Sequence, residues 1–419
     1  MIDTLSLFLI IMLILITILI AIIILKNYKM THYLNYNSSF IGGDKSTFNP
    51  SDIYYTDNIE LKTNEELVKN YLKEYVNAPE TAKVIFNSGA SESIANCMLW
   101  AKSVSKFGVI LGSELDHPSV KENAENIGIN YIPLSYSDLT KPKIKIPQDT
   151  VAIFMTGVCP KTGEIYPFAS LKEYTYLSST PSQIPNLPSE SSTRQVEPLK
   201  ILDASQMIGK IPIDMTANKL NAVFFSCHKI GGEFNTGVLI INEPNHTHFK
   251  PLISGSQQDH LRGGTYNSYA YLNIPQLLKE YSSEINTQQC HDIYTRFMTA
   301  MDKRGLKYYK PVLPHTYGTI LIHLNGCNAK AIHALSEHGI YVGSSTACQS
   351  NNTVKELRIS YLNSSEFSSD TIDEICDVIQ RIQSETSEDS EDEPKPSIQS
   401  ETQNEPPILS KLEIEEKYI

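Results

Sequence analysis

Two short segments carry the side chains with the most to offer chemically. Asp203-Ala-Ser-Gln206 follows the apolar pair Ile201 and Leu202, and Ser226-Cys-His228-Lys229-Ile-Gly-Gly232 follows Val223, Phe224 and Phe225. Each reads as a strand that ends in polar residues, and Lys229 comes 26 residues after Asp203. Open α/β sheets bind ligands outside the carboxyl ends of their strands, so the acid and the amine fall at one sheet edge. A Lys there can form a Schiff base with an aldehyde, and an Asp can hold a pyridinium nitrogen protonated. Ser88-Gly89-Ala90-Ser91 precedes the apolar helical positions Ile94, Met98 and Leu99, so its backbone N–H groups would face an anion at a helix N-terminus. Read alone, that segment is more often a plain turn with an N-cap. Cys348 sits between Gly343-Ser-Ser-Thr346 and Gln349-Ser-Asn-Asn352, both loop-like, the exposed setting a reactive thiolate needs. A Cys taken alone is more often a small buried hydrophobe.

Elements must hold these groups in place. Thr63-Asn-Glu-Glu66 begins a helical pattern with Leu67, Tyr71, Leu72 and Tyr75 on one side. Short apolar runs then alternate with polar helical stretches, at 83–87, 108–111, 151–155, 201–203, 223–226 and 238–242. That rhythm predicts βα units around a mostly parallel sheet. Ser178 to Pro198, rich in Ser and Pro, interrupts it as a surface insertion. A second region, about 300–384, mixes strand (Thr319–Leu324) and helix (Ala329–His338, Thr371–Ser384). The expected division is an anchor over 1–30, a large α/β domain over 31–285, a small domain over 286–384 and an acidic tail over 385–419.

The chain has 419 residues with a formal charge of −12, and Glu385 to Ile419 holds eleven acids against three Lys. The tail has no core-forming pattern and reads as disordered. An acidic chain without a basic patch is a poor nucleic-acid binder, so no nucleic-acid partner is expected. The seven Cys are scattered without a CxxC, so neither a disulfide framework nor a metal site is expected, and a reducing compartment fits. Leu5 to Leu25 is 21 residues without a charge. As a helix it would span roughly 31 Å, close to the thickness of a bilayer core. No basic n-region or small-residue cleavage site accompanies it, so it reads as a retained transmembrane anchor and not as a signal peptide. Lys26 and Lys29 flank its C-terminal end, which puts the rest of the chain on the cytoplasmic side.

From Tyr33 to Ile382 the sequence resembles the NifS-type cysteine desulfurases of aminotransferase class V, which use pyridoxal 5′-phosphate (PLP). Tyr33-Leu-Asn-Tyr-Asn37 resembles the family's YLDxN strand, Phe48-Asn-Pro-Ser51 its GNPSS turn and Phe86-Asn-Ser-Gly-Ala-Ser-Glu-Ser93 its FTSGATES segment. Glu114-Leu-Asp-His117-Pro-Ser-Val120 is similar to EHPSV, and Gly255 to Asn267 to the GGxQExxxRxGTxN loop. Ser344 to Cys348 resembles SGSAC, and Leu357-Arg358-Ile-Ser360 resembles LRxS. Each fragment is weak, but the whole series in order is specific.

The resemblance implies a fold-type-I α/β architecture, with a mostly parallel seven-stranded sheet and a smaller C-terminal α+β domain. It implies that Lys229 holds PLP and later acts as general base. Asp203 would pair with the pyridine nitrogen, Gln206 would bond the phenolic oxygen, and His117 would stack on the ring and move protons. Ala90, Ser91, Ser226 and His228 would cup the phosphate. Thr265 would reach the phosphate of a partner subunit, which implies a homodimer. Arg358 would clamp the carboxylate of L-cysteine. Cys348 would take the substrate sulfur as a persulfide, leaving L-alanine, and pass it to a sulfur-acceptor protein, as in iron–sulfur cluster assembly.

The sequence also departs from the pattern. The family's NNE-x-G segment reads Val158-Cys-Pro160-Lys-Thr-Gly163, so the ring-contacting Asn falls at Pro160, which has no side-chain donor. The GPKG turn reads Gly232-Glu-Phe-Asn235, and only ten positions separate Cys348 from Arg358. Two other readings stay open: another class V lyase or transferase for which Cys348 is incidental, and a catalytically degenerate membrane-anchored binding protein.

Overall fold

A computed structural model describes residues 32–34, 59–105, 108–135, 138, 141, 144–166, 174–176, 197–242, 249–285, 287–326, 328–344, 354–362 and 367–388. Its elements in chain order are β1 (His32–Leu34), α1 (Ile59–Tyr75), β2 (Lys83–Asn87), α2 (Ala90–Val104), β3 (Val109–Ser113), α3 (Pro118–Asn126), β4 (Asn130–Leu134), β5 (Ile144–Ile146), β6 (Thr150–Thr156), β7 (Tyr174–Tyr176), β8 (Leu199–Asp203), β9 (Ala222–Ser226) and β10 (Gly237–Ile241). There follow α4 (Ser268–Leu272), α5 (Ile274–Glu284), α6 (Thr287–Lys303), β11 (Lys307–Tyr308), β12 (Thr319–His323), α7 (Asn328–Glu337), β13 (Ile340–Ser344), β14 (Glu356–Ser360) and α8 (Ser369–Glu388).

Runs of Val, Ile and Phe can be buried on both faces only in a sheet covered by helices on both sides. Strands β6, β9 and β10 are of this kind, buried at every position. They lie within a seven-stranded sheet of order β2-β10-β9-β8-β6-β3-β4. Strand β10 runs antiparallel to β2 and β9, and the other pairings are parallel. Successive side chains of β9 face opposite layers. Phe224 packs with Ile94, Met98 and Trp100 of α2, whereas Phe225 packs with Leu72 of α1 and Leu278 of α5. Both helical layers therefore cover the sheet and leave the carboxyl ends of β3, β6, β8 and β9 on one edge.

The second unit is α+β. Its five-stranded sheet has the order β1-β13-β14-β12-β11, and α6, α7 and α8 bury Phe297, Leu335 and Ile375 against it. Strand β1 corrects the expected division of the chain. It runs parallel to β13, with His32 opposite Ile340, and Leu34 is fully buried in this second core. The chain thus begins in the small sheet before entering the large one. Helix α8 reaches Glu388, four residues into the segment expected to be tail. The sequence also passed over β4 and the two-stranded β5–β7 sheet. Strand β4 is a half-exposed edge strand containing Pro133, which leaves little periodic signal. The apolar segment 5–25, most of the Ser/Pro insertion and the tail beyond 388 lie outside the described residues. Among the described residues no helix is long and apolar enough to cross a membrane.

Candidate active site

The β2–α2 turn meets β10 at close quarters. Gly89 has φ +137°, a conformation that favours glycine. A Cβ on Gly237 would stand 2.4 Å from Gly89 Cα, so only glycine fits opposite that turn. The result is a backbone cradle at the start of α2, whose N-cap residue Gly89 supplies no side-chain bond. Ala90 N–H donates to Ser226 Oγ at 2.9 Å, tying the helix start to the end of β9. Ser88 N–H donates to Glu92 Oε2 at 2.8 Å, and Arg262 grips both oxygens of Glu92 at 3.0 and 3.2 Å. Asn87, buried, donates to Ser93 Oγ at 2.7 Å and accepts Gly89 N–H at 3.0 Å. The Ser88, Gly89 and Ala90 N–H groups thus donate within the protein, and an anion at this helix end would be met by N–H groups further into the first turn and by the Ser226 hydroxyl.

Lys229 and His228 lie on the 3₁₀ turn Cys227–Ile230 that directly follows β9. The His228 ring stacks on Phe234 with centroids 5.7 Å apart. Burial, with the Lys229 charge, pulls His228 down to about 4. Asp203 ends β8 and accepts Ser205 N–H at 2.8 Å. Burial raises its pKa, opposed by the Ser205 bond and by His117 and Lys229. His117 caps α3, and its Nδ1 accepts Ser119 N–H at 3.2 Å, so the neutral ring carries its proton on Nε2. Burial lowers the His117 pKa; Asp203 acts against that and Lys229 with it. Lys229, Asp203 and His117, far apart in sequence, thus lie within each other's electrostatic reach.

The remaining candidates are distributed around this centre. Gln206 is half-buried in the turn after β8, and Ser91 is exposed in the first turn of α2. Thr265 is exposed on the connection that leads into α4. Gln258 anchors that connection by a pair of bonds to the edge of β2, accepting Phe86 N–H at 2.7 Å and donating to Phe86 O at 2.8 Å. Arg358, on β14, is buried, and its Nη1 donates to the backbone oxygen of Pro160 at 3.2 Å. The small sheet therefore brings Arg358 to the loop after β6. Cys348 lies outside the described residues.

Two groups with no role in the sequence analysis are also placed here by the fold. Asp116, next to His117, accepts Ser113 N–H at 2.7 Å and Thr156 N–H at 3.1 Å, joining the ends of β3 and β6. Burial pushes it up to about 7, with the Asp203 charge adding to the effect. Its place beside His117 in the EHPSV-like segment was a usable signal. Lys210 is pulled down to about 8 by burial and by the Lys229 and Arg358 charges. Nothing in its sequence context marks it.

The aminotransferase class-V family matches residues 186–368. Over that stretch, less than half of the chain, the sequence is similar to aminotransferase class V. That family is PLP-dependent. The mitochondrial cysteine desulfurase of Candida albicans is 26% identical over 230 residues, 52% of this chain and 43% of that protein. The match thus spans under half the length of that relative. A solved structure described as a NifS-like protein aligns with a TM-score of 0.66 at 18% identity, covering 85% of this chain and all of that one. Another, described as SspA in complex with cysteine, aligns with a TM-score of 0.58 at 16% identity over 80% of this chain and 99% of its own. These structural matches show the fold: a fold-type-I α/β unit with a C-terminal α+β unit.

Proposed function

We propose that this chain is a PLP-dependent cysteine desulfurase that converts L-cysteine to L-alanine and leaves the sulfur as a persulfide on Cys348. The convergence of Lys229, Asp203 and His117 beside the α2 N-terminus carries the reading. The donor set fits the cofactor: a glycine cradle and Ser226 for a phosphate, an amine for an aldehyde and a half-buried acid for a pyridine nitrogen. When bound, PLP supplies an electron sink next to the substrate Cα.

The chain's own groups would do the rest. Lys229 would hold the cofactor and would serve as the base for the substrate Cα proton. Asp203, forced toward its neutral form by burial, gains from a cationic partner at the ring nitrogen. Gln206 would bond the phenolic oxygen, and His117 would move protons through Nε2. Ala90, Ser91, Ser226 and His228 bind the phosphate, and Thr265 serves the site of a second copy in a homodimer. Arg358 binds the substrate carboxylate, and the Cys348 thiolate attacks the substrate sulfur. The named relatives and the cysteine complex of SspA support L-cysteine as substrate. A sulfur-acceptor protein would then take the persulfide. Membrane anchoring through Leu5–Leu25, with the catalytic units facing the cytoplasm, is part of the same proposal and is supported by the sequence alone.

A second reading, a class V lyase or transferase acting on a different amino acid, draws on Pro160, which offers the cofactor no side-chain donor. Assay of alanine from L-cysteine, and of sulfide released from the persulfide by an added reducing thiol, separates the two. The desulfurase makes both products, and Cys348→Ala stops turnover. Full turnover by that variant rules out the persulfide route. A chain that gains no visible absorption from PLP, or whose absorption is untouched by Lys229→Ala, removes the cofactor assignment itself.

A further inference from the structure

Glu164 is a carboxylate at the wrong depth for an ordinary surface acid. It is 1% exposed and sits between the two sheets, in the loop after β6. Burying a carboxylate is costly unless its oxygens are fully hydrogen-bonded. Here they are well served. Oε1 accepts the backbone N–H of Val312 at 2.7 Å and of Leu313 at 3.2 Å. Tyr309 OH donates to Oε2 at 3.1 Å, and Thr162 Oγ1 donates to the same oxygen at 3.0 Å. Three of these donors belong to the β11–β12 connection of the small sheet.

The loop that carries Glu164 is itself closed. Cys159 N–H donates to Glu164 O and Gly163 N–H to Cys159 O, both at 2.9 Å. Its tip makes two further links to β14. Arg358 donates to Pro160 O at 3.2 Å, and Lys161 Nζ lies 2.7 Å from Glu356 Oε2. Its far side adds Ile165 N–H to Pro314 O at 2.8 Å and Thr316 N–H to Gly163 O at 3.0 Å. One turn of the large unit therefore holds the small unit at two places, and one of those places carries Arg358.

An apolar side chain of similar volume commonly serves stability as well as a buried charge does, whereas buried polar groups can fix geometry. We infer that Glu164 is a positioning residue, which fixes the small sheet against the β6 loop and so sets the place of Arg358 for the substrate carboxylate. The inference rests on the proposed substrate site, but part of its test does not.

Glu164→Met keeps roughly the size and removes both acceptor oxygens, so the Val312 and Leu313 N–H groups lose their partner. Tyr309→Phe is the milder partner, removing one donor and leaving the carboxylate. Three quantities are measured on the full chain: hydrogen exchange at the Val312 and Leu313 amides, PLP affinity by absorption, and the kinetics of alanine formation from L-cysteine. For Glu164→Met, exchange at both amides quickens by roughly 10- to 100-fold, as loss of a buried hydrogen-bond partner implies. PLP affinity stays within about twofold, and KM rises roughly 10-fold while kcat changes less than about threefold, the sign of lost substrate binding. Tyr309→Phe moves exchange and KM the same way by less. Unchanged exchange overturns the coupling without reference to any reaction. Quickened exchange with unchanged KM and a fallen kcat overturns the positioning role. Failure of the unaltered chain to bind PLP or form alanine counts against the function proposed above, and leaves the exchange result standing as the test of the coupling.

Discussion

Gly237→Ala tests the cradle directly. An added Cβ would stand 2.4 Å from Gly89 Cα and 2.8 Å from Gly89 C, where carbon pairs settle at about 3.5–4.0 Å. Both neighbours are backbone, so no side chain can swing away. Gly237 opposes Asn87 on β2 and Ser226 on β9, so β10 cannot retreat without loosening both ladders. The β2–α2 turn must then move out by roughly 1 Å, judged from normal van der Waals spacing. Overpacking of this kind costs about 1–3 kcal/mol of stability. A displacement of about 1 Å at a built site can cost on the order of 100-fold in function, so PLP affinity should fall by roughly 10- to 100-fold. Gly305→Ala is the control. Its φ is +66° and nothing lies within 4 Å of the added Cβ, so it suffers only left-handed strain. That strain costs roughly 1 kcal/mol, far from the cradle. Thermal unfolding reads the stability of both variants, and absorption titration with PLP reads the affinity. Equal PLP affinity in the two variants would refute the cradle as the phosphate seat.

Arg262→Gln leaves Glu92 buried without its fork, so urea unfolding should show a loss of roughly 2–4 kcal/mol, with weaker PLP binding because Ser88 and the α2 start shift with Glu92. Asp116 should make stability fall as pH rises from about 4 to about 7: its folded pKa, about 7, lies above the unfolded value, so the folded state binds the extra proton. His117 and His228, both lowered, act with the opposite sign below about 6.5, so the informative quantity is the wild-type slope minus that of Asp116→Asn, measured by denaturant unfolding across that window.

The site was legible where chemistry and strand ends coincide in sequence. Asp203 and Lys229 each follow an apolar run, and those runs became β8 and β9, adjacent and parallel. Ser88–Ser91 announced a helix start, and α2 begins at Ala90. Contacts that depend on tertiary closure were not legible. The bond from Ser226 to Ala90 spans 136 residues, and that from Gln258 to Phe86 spans 172. Strand β1 was misplaced because three residues carry no sign of which sheet they join; only the burial of Leu34 beside β13 decides it. Nothing in the sequence marks Glu164, since three of its four donors lie 145 to 149 positions away.

The departures from the family motif bear on whether the site has decayed. A degenerate site loses its selective constraint, and substitutions there should leave buried polar groups unmatched. The segment in question does not look like that. Pro160 has no side-chain donor, yet its carbonyl takes the Arg358 guanidinium. Lys161, where the pattern has an acid, finds Glu356 on β14 at 2.7 Å. Glu164, deep between the sheets, has donors for both oxygens. Three replaced or unusual positions in five residues each reach the same small sheet, two of them on the strand of Arg358. The loop and the small sheet therefore meet through matched polar groups on both sides, and those contacts hold the strand that carries Arg358. A loop without a side-chain donor at Pro160 thus still holds, through its backbone, the residue that would face the substrate carboxylate.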